Sequence, residues 1–258
     1  MSTKYQNITV TVDDRVARIN FARPPLNVFN SAMLKEIGSA LGECAQRDLV
    51  AIVFASDKSC RAFSAGVAVE EHVEGLVYQM LDSFHNVFRT LEQLSKPTIA
   101  LVDGAALGGG CELVAACDIV IASEGAKFGQ PEIKLGVFPP VAAVLLPSVI
   151  GERAARELIF TGDIIDAKEA GRLGLCNHVV PLTHLEQKLL EILAKLRELS
   201  GVSLEFTRRA MDVGRGRSLD ATLSELENIY LHELMKSADA NEGIRAFMEK
   251  RKPYWRNR

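Results

Sequence analysis

The stretch Asp103-Gly-Ala-Ala-Leu-Gly-Gly-Gly-Cys-Glu112 follows an apolar strand pattern and precedes a helical one, so its glycines lie at a strand-to-helix turn. Glycine lets another group come close to the backbone, and the first N–H groups of a helix have no partner within it. The N–H of Gly109 is therefore a candidate donor to an oxyanion. The alternative is a helix start whose glycines only form a tight turn and whose Glu112 only complements the helix dipole.

A second glycine turn, Ala62-Phe-Ser-Ala-Gly66-Val67, repeats this arrangement earlier in the chain. It follows the apolar run 50–55 and opens another helical stretch. We expect the N–H groups of Val67 and Gly109 to converge on one oxygen atom. In pairs of this kind each donor contributes about 2.7–4 kcal/mol to a transition state that develops negative charge on that oxygen.

Two glutamates stand in glycine-rich frames. One is Glu112, and the other is Glu132 in Phe128-Gly-Gln-Pro-Glu132-Ile-Lys-Leu-Gly136. Carboxyl groups in special backbone settings suit acid and base chemistry, because different surroundings separate their pKa values. The sequence therefore predicts two catalytic carboxyl groups beside an anion site.

Strands alternate with helices in the first half of the chain, which indicates an α/β fold with parallel strand pairing. From residue 140 onward the apolar spacing is almost wholly helical. A break of small residues at Ser200-Gly201 divides the chain into a core of residues 1–199 and a C-terminal helical region of residues 200–258. The predicted elements are a hairpin of strands at 8–12 and 16–21, strands at 50–55, 97–102 and 119–122, and helices at 31–46 and 73–94.

Composition excludes several classes of partner. The 258 residues carry a formal net charge of −3, so the chain lacks the basic surface that a phosphate backbone requires, and no nucleic acid partner is expected. No run approaches the roughly 20 apolar residues of a membrane span. Five cysteines without paired spacing, and a start without an apolar signal segment, predict a soluble cytoplasmic protein. No cluster has metal-ligand spacing, so no metal is expected.

A series of ordered motifs resembles the crotonase superfamily, and within it the enoyl-CoA hydratases, along nearly the whole chain. The resemblance implies a spiral of repeated ββα units and a C-terminal helical region that forms trimers. It also implies a homotrimer, or a homohexamer built as a dimer of trimers. The motifs are Ala62-Phe-Ser-Ala-Gly66, Lys96-Pro97-Thr-Ile-Ala, Asp103 to Glu112, Phe128 to Glu132, Leu158-Ile-Phe-Thr-Gly162 and Ala170-Gly-Arg-Leu-Gly-Leu175.

The resemblance also implies a substrate and a set of site residues. The substrate is an acyl-CoA thioester whose oxygen sits between the N–H groups of Val67 and Gly109. Coenzyme A is part of that substrate, and no separate cofactor is expected. Hydratases keep both glutamates, and the resemblance makes Glu132 the proton donor to carbon and Glu112 the base that orients water. The residues expected to contact the substrate or its CoA are Pro25, Leu26, Ser64, Ala65, Gly66, Gly108 and Pro140.

Two positions depart from the common hydratase pattern. Pro140 replaces a glycine whose N–H helps to hold the catalytic water, and proline has no N–H. Ala68 replaces an acidic residue. Both changes resemble the cyclohexa-1,5-diene-1-carbonyl-CoA hydratases of anaerobic aromatic degradation. That resemblance implies hydration of a cyclic dienoyl thioester to 6-hydroxycyclohex-1-ene-1-carbonyl-CoA.

Three other functions stay open on the sequence. They are a general short-chain enoyl-CoA hydratase, an isomerase or hydrolase of the same fold that uses Glu132 alone, and a non-catalytic relative that binds CoA or RNA. The last is disfavoured because both glutamates and both glycine turns are present and the net charge is negative. His72 and His85 follow the Gly66 turn on the predicted helix and are interpreted as surface or packing residues.

Overall fold

The computed structural model describes residues 5–214 and 216–257, and it has the mixed α/β architecture that the sequence predicts. The strands of these residues form two sheets. They are β1 (Ile8–Asp13), β2 (Val16–Phe21), β3 (Ala51–Ser56), β4 (Ala62–Ser64), β5 (Thr98–Val102), β6 (Ala105–Leu107), β7 (Ile119–Ser123), β8 (Lys127–Gly129), β9 (Ile164–Asp166) and β10 (His178–Val180).

The larger sheet has the strand order β1-β2-β3-β5-β7-β10, and the smaller sheet has the order β4-β6-β8-β9. Neighbouring strands are parallel except for the β1–β2 hairpin and the β8–β9 pair. Short 3-10 helices occur at Val69–Glu71 and Pro131–Leu135. The α-helices are α1 (Ser31–Ala45), α2 (Val77–Gln93), α3 (Gly109–Ala116), α4 (Pro140–Ile150), α5 (Glu152–Thr161), α6 (Ala167–Leu173), α7 (Leu185–Arg197), α8 (Gly201–Gly214), α9 (Leu219–His232) and α10 (Ala238–Met248).

Apolar side chains cover both faces of the larger sheet. On one face the ring of Phe21 lies 5.2 Å from that of Phe29 and 6.1 Å from that of Phe54, measured between centroids. On the other face Val53 belongs to a second apolar cluster with Leu189 of α7. Successive residues of a strand point to opposite faces, so a continuous apolar run such as β3 needs a cover on each side.

The smaller sheet brings the sequence motifs together. Strands β4, β6 and β8 are parallel neighbours, so their carboxyl ends lie side by side. The Gly66 turn follows β4, the Gly108-Gly109 turn follows β6, and Glu132 comes shortly after β8. Motifs that are far apart in the chain therefore meet at one edge of this sheet.

The structure corrects several predicted boundaries. The α-helix expected at 73–94 begins at Val77, and the Gly66 turn leads into the 3-10 helix Val69–Glu71 rather than into an α-helix. Strands β9 and β10 interrupt the region after residue 140 that was expected to be almost wholly helical. The three-residue strands of the smaller sheet are too short to show an alternating pattern, so their sequence did not reveal them.

A buried arginine connects the C-terminal helices to the larger sheet. Arg208 of α8 is 9% exposed, and its Nε lies 2.9 Å from Asp118 Oδ2, just before β7. Its Nη1 donates to the carbonyl oxygens of Leu91 and Leu94 at the end of α2. The helix after the Ser200-Gly201 break is thus fixed to the core, while the division at residues 199 and 200 stays a prediction. None of the helices in residues 5–214 and 216–257 is both long enough and apolar enough to cross a membrane.

Candidate active site

A cavity of about 460 Å³ lies at the edge where β4, β6 and β8 end. Ala65, Gly66 and Val67 line it from the first turn, and Gly108 lines it from the second. Both predicted catalytic glutamates, Glu112 and Glu132, also line it. The structure therefore brings together the residues that the two glycine motifs and the two carboxyl groups predicted.

The backbone of the first turn leaves the N–H of Val67 without a partner. Phe29 N donates to Gly66 O at 2.8 Å, and Ala68 N donates to Phe29 O at 2.8 Å. These two hydrogen bonds use the carbonyl oxygen of Gly66 and the N–H of Ala68, and neither of them involves the N–H of Val67. Gly66 has a φ of +101°, a conformation that favours glycine, so the residue type permits this path of the chain.

The second turn presents another free N–H close to the first. Gly109 is the first residue of α3, where a helix N–H has no partner inside the helix. No hydrogen bond within residues 5–214 and 216–257 uses the N–H of Val67 or of Gly109. A Cβ added to Gly66 would lie 3.6 Å from Gly109 N, and a Cβ added to Gly109 would lie 2.8 Å from Val67 Cγ2. The two turns are therefore in direct contact, with glycine at their contact point.

Glu112 lies in the first turn of α3 and is 2% exposed. Its Oε1 accepts a hydrogen bond of 2.7 Å from the N–H of Ala142 in α4. Burial raises the pKa of Glu112 to about 8, and the nearby Glu132 carboxylate adds to this rise. The carboxyl group therefore holds a proton at neutral pH in the unliganded site.

Glu132 reaches the cavity from the short helix after β8. A Cβ added to Gly108 would lie 2.5 Å from Glu132 Oε1, so only glycine leaves room for this carboxyl group. Burial raises the pKa of Glu132 as well. Its Oε2 is buried and has no hydrogen-bond partner among the described residues. An unpartnered carboxyl oxygen in a cavity wall is available to a water molecule or to a substrate.

Pro140 lines the same cavity at the first position of α4. Proline suits the first position of a helix because the N–H it lacks has no helical partner there. The N–H of Ala142, two residues on, is taken by Glu112. The beginning of α4 therefore holds a glutamate in place and offers no N–H at Pro140.

Three residues predicted to contact the substrate lie outside the cavity lining. Ser64 is fully buried, and its hydroxyl donates to Asn27 O at 2.8 Å. Pro25 O accepts from Arg61 N at 2.8 Å, and Leu26 O accepts from Ala65 N at 2.9 Å. These hydrogen bonds connect the loop that contains Pro25 and Leu26 to the segment from Arg61 to Ala65, just before Gly66. The contact of this loop with CoA stays a prediction.

The sequence analysis interpreted His72 and His85 as surface or packing residues and placed neither ring in the cavity. The structure places His72 in the cavity wall, whereas His85 does not line the cavity. The apolar part of the wall comes from α2, with Val77, Met80 and Phe84, and from the segment before α4, with Phe138 68% exposed. No signal in the sequence placed His72 there, because the direction of its ring depends on the 3-10 helix Val69–Glu71 that precedes it.

The arrangement combines two carboxyl groups of raised pKa in a largely apolar cavity with the N–H of Val67 in its lining. The N–H of Gly109 follows the lining residue Gly108, although Gly109 itself is outside the lining, and neither N–H has a hydrogen-bond partner in the described part of the chain. The carboxyl groups can exchange a proton with a ligand, and the N–H pair can stabilise an oxygen that gains negative charge. Among the described residues, no group of three or more His, Cys, Asp or Glu side chains is arranged to hold a metal ion. The site is thus suited to acid and base chemistry on a carbonyl compound.

Comparisons with known proteins agree with this geometry. Residues 11–258 match the family model described as enoyl-CoA hydratase/isomerase. The chain is 38% identical to the cyclohexa-1,5-dienecarbonyl-CoA hydratase of Thauera aromatica over 95% of each chain. It is 36% identical to the short-chain-enoyl-CoA hydratase of Clostridium acetobutylicum over 95% of this chain and 96% of that one.

A solved structure gives the same result for the fold. The enoyl-CoA hydratase from Bacillus anthracis superposes with a TM-score of 0.91 at 32% identity, over 98% of this chain and 100% of that chain. The ordered motifs, the paired sheets and the two carboxyl groups in one cavity are consistent with these relatives. The chain belongs to the enoyl-CoA hydratase/isomerase family and has the crotonase fold.

Proposed function

We propose that this chain hydrates cyclohexa-1,5-diene-1-carbonyl-CoA to 6-hydroxycyclohex-1-ene-1-carbonyl-CoA, a step of anaerobic aromatic degradation. The chain is a hydro-lyase of the enoyl-CoA hydratase class, and its substrate is an acyl-CoA thioester. The observation that carries the narrower proposal is Pro140, which lines the cavity together with both glutamates. The relative from Thauera aromatica, named for hydration of this cyclic thioester, supports it.

The thioester oxygen is assigned to the two free N–H groups. Donors from Val67 and Gly109 stabilise the negative charge that this oxygen gains when water attacks the conjugated system. Their turns touch each other, and the close approach of backbones at Gly66 and Gly109 keeps them together. The oxyanion hole therefore needs no movement of the backbone when the charge develops.

The reaction adds water across the whole conjugated system. The water oxygen bonds to C2 of the ring, the β carbon, and one of the water protons goes to a carboxylate. The electrons of the C1=C2 bond move toward the thioester oxygen and give an extended enolate. A proton then bonds to C5, the remaining double bond shifts to C1=C6, and the oxygen loses its charge. One base and one acid are required, and no redox partner is involved.

The two glutamates supply the base and the acid. Burial raises the pKa of both carboxyl groups, that of Glu112 to about 8. The resemblance makes Glu132 the donor to carbon and Glu112 the base. In this assignment Glu132 carries the proton and Glu112 is a carboxylate when water and thioester are bound. The Oε2 of Glu132, which is buried without a partner among the described residues, is the atom that we assign to this proton.

Pro140 changes how the water is held. An N–H at this position would donate to the water oxygen, and proline removes that donor. Water is then oriented by the carboxyl groups alone. Pro140, Phe138 and Leu135 all line the cavity, and such an apolar lining suits a cyclic hydrocarbon acyl group. These features support a cyclic dienoyl substrate over a short linear one.

A general short-chain hydratase is the second candidate. The relative from Clostridium acetobutylicum, which is named as such, has nearly the same identity to this chain. An isomerase or hydrolase that uses Glu132 alone is less well supported, because Glu112 also faces the cavity. We therefore rank the cyclic dienoyl reaction first and hydration of a linear enoyl thioester second.

Assembly as a homotrimer or a homohexamer is part of this proposal. The C-terminal helices carry exposed apolar side chains, including Leu219 at 74% and Phe247 at 85% exposure. Such side chains on α9 and α10 suit burial against other copies of the chain. Sedimentation of the purified protein at three or six times the mass of one chain is the expected result.

Comparison of two substrates tests the proposed function. The purified protein is incubated with cyclohexa-1,5-diene-1-carbonyl-CoA and, separately, with crotonyl-CoA, and the CoA esters are separated by chromatography. We expect the hydroxylated ring product and a much lower turnover of crotonyl-CoA. Full activity on crotonyl-CoA with none on the cyclic ester would instead select the short-chain hydratase.

A further inference from the structure

His72 is a polar side chain for which the proposed reaction has no use. Among the described residues that line the cavity, only Glu112, Glu132 and His72 carry side-chain nitrogen or oxygen atoms. The glutamates provide the acid and the base. The other residues in the lining, which include Val69 and Val77, carry apolar side chains or none.

The orientation of the His72 ring is fixed by one hydrogen bond. Nδ1 lies 3.0 Å from the carbonyl oxygen of Ala68. A carbonyl oxygen only accepts, so Nδ1 carries the hydrogen, and Nε2 of the neutral ring is then an acceptor. No residue in the described part of the chain hydrogen-bonds to Nε2. The Nε2 of this cavity-lining residue is therefore an acceptor with no partner among the described residues.

The backbone under His72 is also held in place. His72 follows the short helix Val69–Glu71, and its N–H donates to Val69 O at 3.0 Å. The Glu71 carboxylate accepts from Ser31 N at 3.0 Å and from Ser31 Oγ at 2.6 Å, which ties this segment to the start of α1. A ring on such a support presents its acceptor in a constant position.

Resting on the proposed function, we infer that His72 is a specificity-determining residue whose Nε2 accepts a hydrogen bond from a hydroxyl on the acyl group. That hydroxyl has two sources: the one that hydration creates at the β carbon, and one that the acyl chain already carries. Apart from the two glutamates, no other side chain in the described cavity lining can accept a hydrogen bond from such a hydroxyl. An acyl group without a hydroxyl that covers Nε2 leaves a desolvated acceptor unpaired, which weakens its binding.

Binding of saturated thioesters tests this inference without turnover. Titration calorimetry compares hexanoyl-CoA with its 4-hydroxy, 5-hydroxy and 6-hydroxy derivatives, on the wild type and on His72→Leu. In the wild type we expect hexanoyl-CoA to have a higher Kd than the best-fitting hydroxy derivative. The ratio of these two Kd values should fall about tenfold in His72→Leu, as loss of one hydrogen bond implies. His72→Gln keeps an acceptor and should retain part of the ratio. His184→Leu, at an exposed position, is the matched control and should leave it unchanged.

A kinetic comparison identifies the hydroxyl made by the reaction. His72→Leu should raise the KM for dehydration of 6-hydroxycyclohex-1-ene-1-carbonyl-CoA while changing the KM for hydration of cyclohexa-1,5-diene-1-carbonyl-CoA much less. If the substitution changes only these KM values, His72 binds the hydroxyl of the product. If it changes only the Kd ratio of the saturated thioesters, His72 binds a hydroxyl that the acyl chain already carries. If His72→Leu shifts neither ratio, the inference is wrong. Failure of the wild type to hydrate any enoyl ester would refute the proposed function, while the calorimetric ratio would still report on His72.

Discussion

The N–H of Ala142 donates a hydrogen bond of 2.7 Å to Glu112 Oε1. This bond joins the first turn of α4 to a carboxyl group in the first turn of α3. The same turn of α4 begins with Pro140 in the cavity wall. The position of one acid/base group and the shape of the wall beside it therefore depend on a single helix start.

Replacement of either glutamate by glutamine should abolish most activity. Glu112→Gln and Glu132→Gln remove one proton-transfer group each while keeping the shape of the side chain. We expect kcat to fall by about 10²–10⁴ in each variant, because that is the usual contribution of general acid and base groups. Steady-state hydration kinetics measure the loss, and titration with a saturated CoA ester checks that binding survives.

The exposed Glu74 provides the matched control for these variants. Glu74→Gln changes the same functional group outside the cavity lining and should keep the wild-type kcat. A Glu112→Gln variant with nearly full activity would contradict the hydratase mechanism. It would favour a reaction that uses Glu132 alone.

The raised pKa of Glu112 makes folding stability depend on pH. Its pKa is about 8 in the folded chain against an ordinary value of 4.5, so the folded state binds the proton more tightly. The stabilising contribution is complete below about pH 4.5 and is lost as the pH rises through about 8. Glu132, whose pKa burial also raises, acts in the same direction.

Glu112→Gln should remove much of this pH dependence. A neutral amide keeps an acceptor for the Ala142 N–H and has no charge to bury at high pH. At pH 9 we expect the variant to exceed the wild type in free energy of unfolding by about 2–4 kcal/mol, an order-of-magnitude figure. Urea denaturation at pH 6 and at pH 9 measures it. If the free energy of unfolding falls equally in the wild type and in Glu112→Gln between pH 6 and pH 9, Glu112 is not the source of the pH dependence.

Long periodic segments allowed much of the fold to be predicted from the sequence. The hairpin of β1 and β2 and helix α1 lie within one or two residues of their expected positions. Alternating or helical spacing over six or more residues carries that information. The strands of the smaller sheet have three residues each, and their positions depend on pairing with distant segments. Local sequence does not encode such pairing.

The glycine motifs predicted which turns contact each other better than they predicted which other residues line the cavity. Gly66 and Gly108 have positive φ angles and contact other motifs directly, so their residue type reports a local requirement. Ser64 has no such signature, and its hydroxyl turns away to Asn27 O. His72 was missed because a single histidine in a sequence does not reveal which cavity its ring faces. That information exists only once the turn at Val69–Glu71 is in place.

A methyl group at Gly109 should disrupt the anion site. Its Cβ would lie 2.8 Å from Val67 Cγ2 and 3.0 Å from Phe84 Cε2, so the two turns must move apart. Gly109→Ala should lower kcat by about 10²-fold, the effect of losing one oxyanion donor. Hydration kinetics measure this loss.

Gly42→Ala is the control for that variant. Nothing lies within 4 Å of an added Cβ at Gly42, which is on α1. It should leave kcat unchanged and raise stability by up to about 1 kcal/mol, because alanine favours the helix. Equal activities of Gly109→Ala and Gly42→Ala would argue against the proposed role of the Gly109 N–H.

Substitution of Pro140 tests its link to the substrate. Pro140→Ala restores an N–H at the first position of α4, where alanine is tolerated. The new donor can hold the water, so the ratio of kcat/KM for crotonyl-CoA to that for the cyclic dienoyl ester should rise about tenfold, the equivalent of one hydrogen bond. Pro147→Ala, inside the same helix and outside the cavity lining, should leave the ratio unchanged. The same ratio in the wild type, Pro140→Ala and Pro147→Ala would show that Pro140 does not determine the choice of substrate.

The adjacent arginines of α8 predict two different effects on stability. Arg208 is 9% exposed and pairs with Asp118, while Arg209 pairs with Glu233 at the surface with 43% of its side chain exposed. Arg208→Met removes the guanidinium from the Asp118 carboxylate, which keeps only its hydrogen bonds from Thr98, and leaves the carbonyl oxygens of Leu91 and Leu94 without this donor. We expect it to lower the free energy of unfolding by about 3 kcal/mol. Arg209→Met removes an exposed pair of similar geometry and should cost less than about 1 kcal/mol. Chemical denaturation of both variants at one protein concentration makes the comparison, and equal losses would mean that α8 does not depend on its buried ion pair.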